Sequence, residues 1–208
     1  MGSNRDVYKR VDHWTLKAQE EGYPARSVYK LQEIDQRFAL TRGCRIVLDL
    51  GASPGSWSAW LLRHLDSKGK VVAVDLNPLD ASVAGGQLVF VQGDMTEDAV
   101  QRQLSGCAPF DLVLSDAAPL TSGNHLVDTS RSRELFLAAL GCAQKFLKVG
   151  APFCAKVFQG ASQQRLLAAV KAMFAEARAF KPKVCRASSR EIYLIGLGKL
   201  KQDTAGKI

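Results

Sequence analysis

Successive apolar runs in this chain end in residues that can handle charge or a hydroxyl group. Asp49 and Gly51 follow the first, Asp75 the second, Gly93 and Asp94 the third, Ser115 and Asp116 the fourth, and Lys156 sits inside the fifth, FCAKVFQG. One acid at a strand end means little, but a set of them, with a lysine among Phe153, Val157 and Phe158, requires each charge to be hydrated or paired. The first turn, within VLDLGASPGSW, places Gly51 and Gly55 four apart, so it is not G-x-G-x-x-G, and no G-K-[ST] follows. That spacing serves neither a dinucleotide pyrophosphate nor a nucleoside triphosphate well. Asp75, which closes KVVAVDL, can accept both hydroxyls of a ribose. What remains is a ligand with an adenosine and no phosphates, and S-adenosylmethionine fits. Glu191, in SSREIYLIGLG, could meet Lys156 from a neighbouring strand.

The elements that must position these residues follow from periodicity. Residues 45–50 are aliphatic without polar alternation, which suits a strand covered on both faces, and Asp49 inside it needs a partner. Trp57, Trp60, Leu61 and Leu65 then recur at helical spacing, giving strand, glycine turn, helix, strand: half of a doubly wound sheet, whose ligands sit beyond the carboxyl ends of its strands. Further strand-like runs cover 71–75, 88–92, 110–115, 152–158, 183–186 and 191–197. Ahead of the sheet, Val28, Leu31, Ile34, Asp35 and Phe38 define a helix capped by Ser27 that carries Lys30. SRELFLAALGCAQKFLKVG, closing in lysine and glycine, and QQRLLAAVKAMFAEA read as amphipathic helices. The last two strands lack a helix between them, so a hairpin should make that edge antiparallel. Strands alternating with helices specify an α/β sandwich.

A chain of 208 residues, 47% hydrophobic, can bury one good core. A single domain over 1–208 is expected: a basic helical segment at 1–42, a catalytic core at 43–198 and a flexible basic tail at 199–208. No run approaches the length of a membrane span, and Asp6, Asp12, Glu20 and Glu21 argue against a transit peptide. Five scattered cysteines without C-x-x-C, and three scattered histidines, point to reduced thiols, a cytoplasmic protein and no metal. The net charge of +8 is unevenly placed, with eight basic residues against Glu191 and Asp203 over 178–208. Beside a cofactor site, such a patch suggests a nucleic acid draped over one side. Arg5, Lys9, Arg10, Lys17 and Arg26, with Lys181, Lys183, Arg186, Arg190 and Lys199, could clamp its phosphates. Trp14, Tyr23 and Tyr29 could stack on a base or pack in the core.

In chain order, SVYKL, LDLGASPGSW, VVAVDL, VQGD, LSDAAP with a following SG, FCAKVFQG and SSREIYL together resemble the FtsJ-type heat-shock RNA 2′-O-methyltransferases. Bacterial members of that family modify a uridine of large-subunit ribosomal RNA. The resemblance runs from about Arg26 to Gly198. It implies a Rossmann-like methyltransferase fold: a seven-stranded, mostly parallel sheet with one antiparallel strand, helices on both faces, working as a monomer with S-adenosylmethionine. The family's Lys-Asp-Lys-Glu tetrad falls on Lys30, Asp116, Lys156 and Glu191. Cofactor contacts fall on Gly51, Ser53, Pro54, Gly55, Ser56, Trp57, Asp75, Leu76, Asp94, Met95 and Asp116, and RNA contacts on Arg26, Lys181, Lys183, Arg186 and Arg190. The implied partner is RNA within the large ribosomal subunit, with no metal and no membrane.

The chain departs from the pattern at GASPGSW, where GAAPGGW is common, and at Leu120, where asparagine is frequent. The tetrad implies that Lys156 is the base or direct partner of a ribose 2′-oxygen, with Lys30 nearby disfavouring double charging, Asp116 orienting Lys156, and Glu191 holding the hydroxyl or the lysine pair. Alternatives are a transfer RNA anticodon-loop or mRNA cap enzyme with the same chemistry, and a noncatalytic ribosome-assembly protein.

Overall fold

Short β-branched and aliphatic runs form the centre of the sheet, where residues 47–50, 71–74, 112–115 and 153–157 are buried. The computed structural model describes residues 13–160, 162–186 and 189–201. Its elements are, in order, α1 His13–Glu20, α2 Val28–Phe38, β1 Ile46–Leu50, α3 Ser56–His64, β2 Lys70–Asp75, β3 Leu88–Gln92, α4 Asp98–Cys107, β4 Leu112–Ser115, α5 His125–Phe146, β5 Phe153–Phe158, α6 Gln163–Met173, β6 Phe174–Phe180 and β7 Glu191–Lys199. The seven strands make one sheet in the order β3-β2-β1-β4-β5-β7-β6. All neighbours are parallel except β7, which runs antiparallel to both β5 and β6.

Alternation along each strand divides the core in two. Leu48, Val72, Val113, Phe153, Ala155 and Leu194 face α4, α5 and α6. Val47, Val71, Leu112, Leu114, Cys154, Tyr193 and Ile195 face α2 and α3, packing on Leu31, Ile34, Trp57 and Trp60. Among the described residues, no helix is long and apolar enough to cross a membrane.

Three local expectations are corrected. The sixth strand is not at 183–186 but at Phe174–Phe180, and α6 stops at Met173 although the helical pattern runs on to 177. Leu166, Val170 and Phe174 share a helical face, so spacing cannot separate helix from strand there. Tertiary pairing decides: Ala177 lies opposite Gly196, and a Cβ on Gly196 would come within 2.5 Å of the Phe174 ring. The glycine thus makes room for that ring, which stacks on Phe153 at 5.8 Å. Ser27 precedes α2 in helical backbone geometry without a side-chain cap bond, and its carbonyl accepts from Trp57 Nε1 at 2.8 Å. Finally, α5 begins at His125, well before the amphipathic stretch, because the Asn124 side chain accepts from Leu126 N and Val127 N.

The far end of α5 is closed from the other side of the chain. Lys199 is buried, and its ammonium donates to the carbonyls of Ala143, Gln144 and Leu147 at 2.9, 2.6 and 2.7 Å. They lie at the carboxyl end of the helix, where carbonyls run short of N–H partners and a cation is favoured, although Ala143 O also accepts from Leu147 N. Lys199 therefore belongs to the frame and is not a free phosphate ligand.

Candidate active site

Period-2 geometry puts the polar strand residues on one face. Tyr193 lies opposite Lys156 and Glu191 opposite Phe158 in the antiparallel ladder. Lys156 and Tyr193 project with Cys154 and Ile195 toward α2 and α3, and Asp116 continues the same parity beyond Leu114. Lys30, on the first turn of α2, reaches the same place from above. The four tetrad positions, separated by up to 161 residues of sequence between Lys30 and Glu191, come together at the carboxyl rim of β4 and β5.

Their pairing is specific. Lys156 Nζ donates to the Asp116 carbonyl at 2.5 Å and stands 2.9 Å from its Oδ1. Tyr193 OH donates to the same Oδ1 at 2.7 Å. Lys30 Nζ meets Glu191 Oε2 at 2.7 Å. Glu191 thus pairs with Lys30 and not with Lys156, because the register carries Tyr193, not Glu191, to the place opposite Lys156. Only 5% of the Lys156 side chain is exposed, against 24% for Glu191, so Lys156 is held at the floor and the Lys30–Glu191 pair at the lip.

The charges follow from the same contacts. Burial alone would raise the Asp116 pKa, but the Lys156 and Lys30 ammonium groups and the Tyr193 hydroxyl hold it below the usual carboxylate range. Burial would lower Lys30, yet Asp116 and Glu191 outweigh it and its pKa is raised. Burial and the neighbouring Asp116 push the Tyr193 phenol well up, so it stays a neutral donor. Each lysine has its own carboxylate, which replaces the expected picture of two ammonium groups repelling one another; Lys30 is a standing cation. Tyr193 was missed from the sequence, although its place two residues after Glu191 puts both on one strand face.

On the other side of β4, the chain folds a cradle. Gly51 takes φ +71°, and a Cβ there would lie 2.4 Å from Ala117 Cα; Gly55, at φ +109°, would meet Val83 at 2.8 Å. Asp75 Oδ2 accepts from Ser53 N at 3.0 Å and Oδ1 from Asn77 N at 2.8 Å, fixing the carboxylate at the end of β2. Asp94 Oδ1 accepts from Thr96 N and Oγ1. Leu76 is largely exposed and Met95 buried. Ser53 Oγ donates to Pro78 O, and Pro54 O accepts from Asp80 N, so the two rim loops are knitted together. Ser56 Oγ accepts from Ala25 N, and the Trp57 ring is packed in the core with Nε1 donating to Ser27 O.

Asp49, fully buried, accepts from Ser58 Oγ at 2.7 Å through Oδ2, while Oδ1 has no hydrogen-bond partner. Burial pushes its pKa up to about 7; the Ser58 bond opposes this, and the charges of Asp116 and Asp75 add to it. An acid with a raised native pKa binds a proton more tightly when folded, so its contribution is greatest near pH 4 and is lost as pH rises through about 7. The loss is on the order of 4 kcal/mol. Asp49→Asn should remove that slope: relative to the wild type, the variant gains stability between pH 5 and pH 8 in denaturant titrations. Parallel pH curves for the two proteins would contradict the assignment.

Of the expected RNA contacts, Arg26 is half-buried beside α2. Lys181, Lys183 and Arg186 lie exposed on the segment between β6 and β7. Glu33 of α2 accepts from Lys183 N and Val184 N and holds that segment beside Lys30. Arg190 leads directly into Glu191. Lys17 stands over the Trp14 and Tyr29 rings and near Glu21, while Tyr23 and Tyr29 are buried packing residues. Arg5, Lys9 and Arg10 lie outside the described residues. Among the described residues, no group of three or more His, Cys, Asp or Glu side chains is placed to hold a metal ion.

A mostly parallel seven-stranded sheet with an antiparallel β7 inserted beside β5, carrying a glycine cradle over β1 and a charged rim over β4 and β5, defines a Rossmann-like methyltransferase fold. The O-methyltransferase TomG from Streptomyces achromogenes, solved in complex with SAM, shares that fold at 18% identity, with a TM-score of 0.54 and 92% of each chain covered. The family model for FtsJ-like methyltransferase matches residues 23–199, and the chain belongs to that family. It is 50% identical over 193 residues, 93% of this chain and 97% of the relative, to ribosomal RNA large subunit methyltransferase E of Treponema denticola. The protein of the same name from Sorangium cellulosum is 44% identical, with 98% of this chain and 93% of the relative covered. A solved ribosomal RNA methyltransferase structure from Plasmodium falciparum superposes with a TM-score of 0.76 at 30% identity, covering 86% of this chain and all of that one.

Proposed function

We propose that this chain transfers a methyl group from S-adenosylmethionine to the 2′-oxygen of a ribose in large-subunit ribosomal RNA, with Lys30, Asp116, Lys156 and Glu191 as its working side chains. The observation that carries the reading is the convergence of those four residues on one rim, with Asp116 anionic between two lysines. The names of the 50% and 44% identical relatives support the substrate. The residues present suit the cofactor: Asp75 and Asp94 offer carboxylates for a ribose and a base, beside the turn that Gly51 and Gly55 close against Ala117 and Val83.

When bound, S-adenosylmethionine supplies a methyl group that is already a good electrophile. The chain's own task is therefore alignment and proton removal. Lys156, fixed by the carbonyl and carboxylate of Asp116, receives the 2′-hydroxyl; it first releases one ammonium proton to solvent, and the resulting amine takes the hydroxyl proton as the oxygen accepts the methyl group. Tyr193 restrains Asp116 by donating to the same oxygen as Lys156, so the carboxylate cannot rotate away. Lys30 stays protonated beside Glu191, so the lip carries a compensated ion pair whose ammonium and carboxylate can both meet the ribose.

The test is transfer of labelled methyl to undermethylated large ribosomal subunits, free ribosomal RNA and transfer RNA. Label on a ribose of the large-subunit RNA is expected. Label in transfer RNA alone would move the substrate, and cofactor binding with no transfer to any RNA would overturn the reading.

A further inference from the structure

Beside the tetrad, on the flank of β5 away from the glycine cradle, lies an open groove of about 310 Å³ lined by His125, Thr129, Arg133, Gln159 and Arg190, among others. Two arginines and a histidine line it, and no carboxylate does. Arg190 is braced there: its Nη1 donates to His125 Nδ1 and, at 3.4 Å, to Thr129 Oγ1, and its guanidinium lies over the Phe158 ring. Since the guanidinium can only donate, His125 Nδ1 accepts, and Nε2 carries the imidazole proton as a further donor. Arg133 is exposed on the next turn of α5. Gln159 N donates to Arg190 O at 2.8 Å, extending the β5–β7 ladder one step beyond the pair of Phe158 and Glu191.

Gln159 stands three residues past Lys156, about 10 Å along the backbone at the strand rise of about 3.3 Å, with the groove on the α5 side of the sheet, so one strand of nucleic acid reaches both by crossing the carboxyl rim. A short step along a nucleic-acid strand spans that distance. A cluster of fixed donors without an acid suits a phosphodiester, and the hydroxyls and amide around it add neutral donors. Leu126 and Leu120, 83% and 91% exposed on the same rim, offer apolar surface for a base face.

We propose that this groove is a backbone subsite, in which Arg133, Arg190 and His125 hold a phosphodiester of the substrate RNA flanking the ribose presented to Lys156. The inference rests on the RNA reading above and assigns that RNA its path, across the amino end of α5 and not only along the basic segment between β6 and β7.

The test compares the wild type, Arg133→Glu and Lys68→Glu in binding and methylation of undermethylated large-subunit ribosomal RNA over a range of salt. Lys68 is exposed just before β2, at the amino ends of the strands and away from the carboxyl rim, and its replacement reverses the same charge. Arg133→Glu is expected to weaken RNA binding and raise KM by roughly 3- to 10-fold. It should also lessen the slope of log affinity against log salt by about 0.7 for each lost single-strand phosphate contact. Lys68→Glu should shift both far less. Equal effects of the two variants would mean net charge alone and would overturn the subsite, as would unchanged RNA affinity in Arg133→Glu. Arg133-dependent binding by a wild-type protein that transfers no methyl would instead refute the proposed reaction and leave the subsite standing.

Discussion

Lys156→Met is expected to lower the rate of methyl transfer at saturating substrates by about 10²- to 10⁴-fold, the range for a positioned proton-transfer group. Met keeps the buried stem in place among Cys154, Tyr193 and Val157, so the fold should persist. Binding of labelled cofactor should stay within a few-fold of wild type, since the glycine cradle and Asp75 lie on the other side of β4. Lys156→Arg is a sharper control, because it keeps the charge but cannot give up a proton at neutral pH. Residual activity within tenfold of wild type in the methionine variant would remove Lys156 from the chemistry. Near-normal activity in the arginine variant alone would reduce its role to that of a cation.

Gly51→Ala should be nearly as damaging, through geometry alone. Its backbone sits at φ +71°, and the added Cβ would lie 2.4 Å from Ala117 Cα and 2.6 Å from Ala117 N, main-chain atoms that cannot step aside. Left-handed strain of roughly 1–2 kcal/mol adds to overpacking of roughly 1–3 kcal/mol. Any relief must move Ala117, and with it Asp116 next in the chain, so activity and stability should fall together. Gly43→Ala separates the two causes: it has φ +75° with open space around its Cβ, and should show the dihedral penalty only. Equal midpoint shifts for the two variants in urea would show that the close approach at Gly51 contributes nothing.

Much of this arrangement was legible in the residues because the signals were short-range. The strand ends at Asp49, Asp75 and Asp116, the glycine turn between them and Lys156 within an apolar strand all announce themselves by local pattern. The partners did not. That Glu191 meets Lys30, and Tyr193 meets Asp116, depends on the register between β5 and β7, and nothing local to either strand fixes it. The misplacement of β6 has the same origin: FAEARAF satisfies a helical face as well as a strand, and the room that Gly196 leaves for Phe174 is visible only once the strands are paired. The site residues at 56 and 57 illustrate a third limit. A motif marks a position, while packing decides what surrounds the side chain there, as with the buried Ser56, whose Oγ accepts from Ala25 N.

The place of β7 ties catalysis to the order in which the chain is made. It is synthesised after β6 yet lies between β6 and β5, so β6 has no strand to join until residues 191–199 exist. The same nine residues deliver Glu191 to Lys30, Tyr193 to Asp116 and Lys199 to the open end of α5. A nascent chain that has emerged only as far as β6 already holds every residue of the β3-β2-β1-β4-β5 sheet and its glycine cradle. It lacks Glu191 and Tyr193, and the late arrival of one strand completes the active rim and the sheet in the same event.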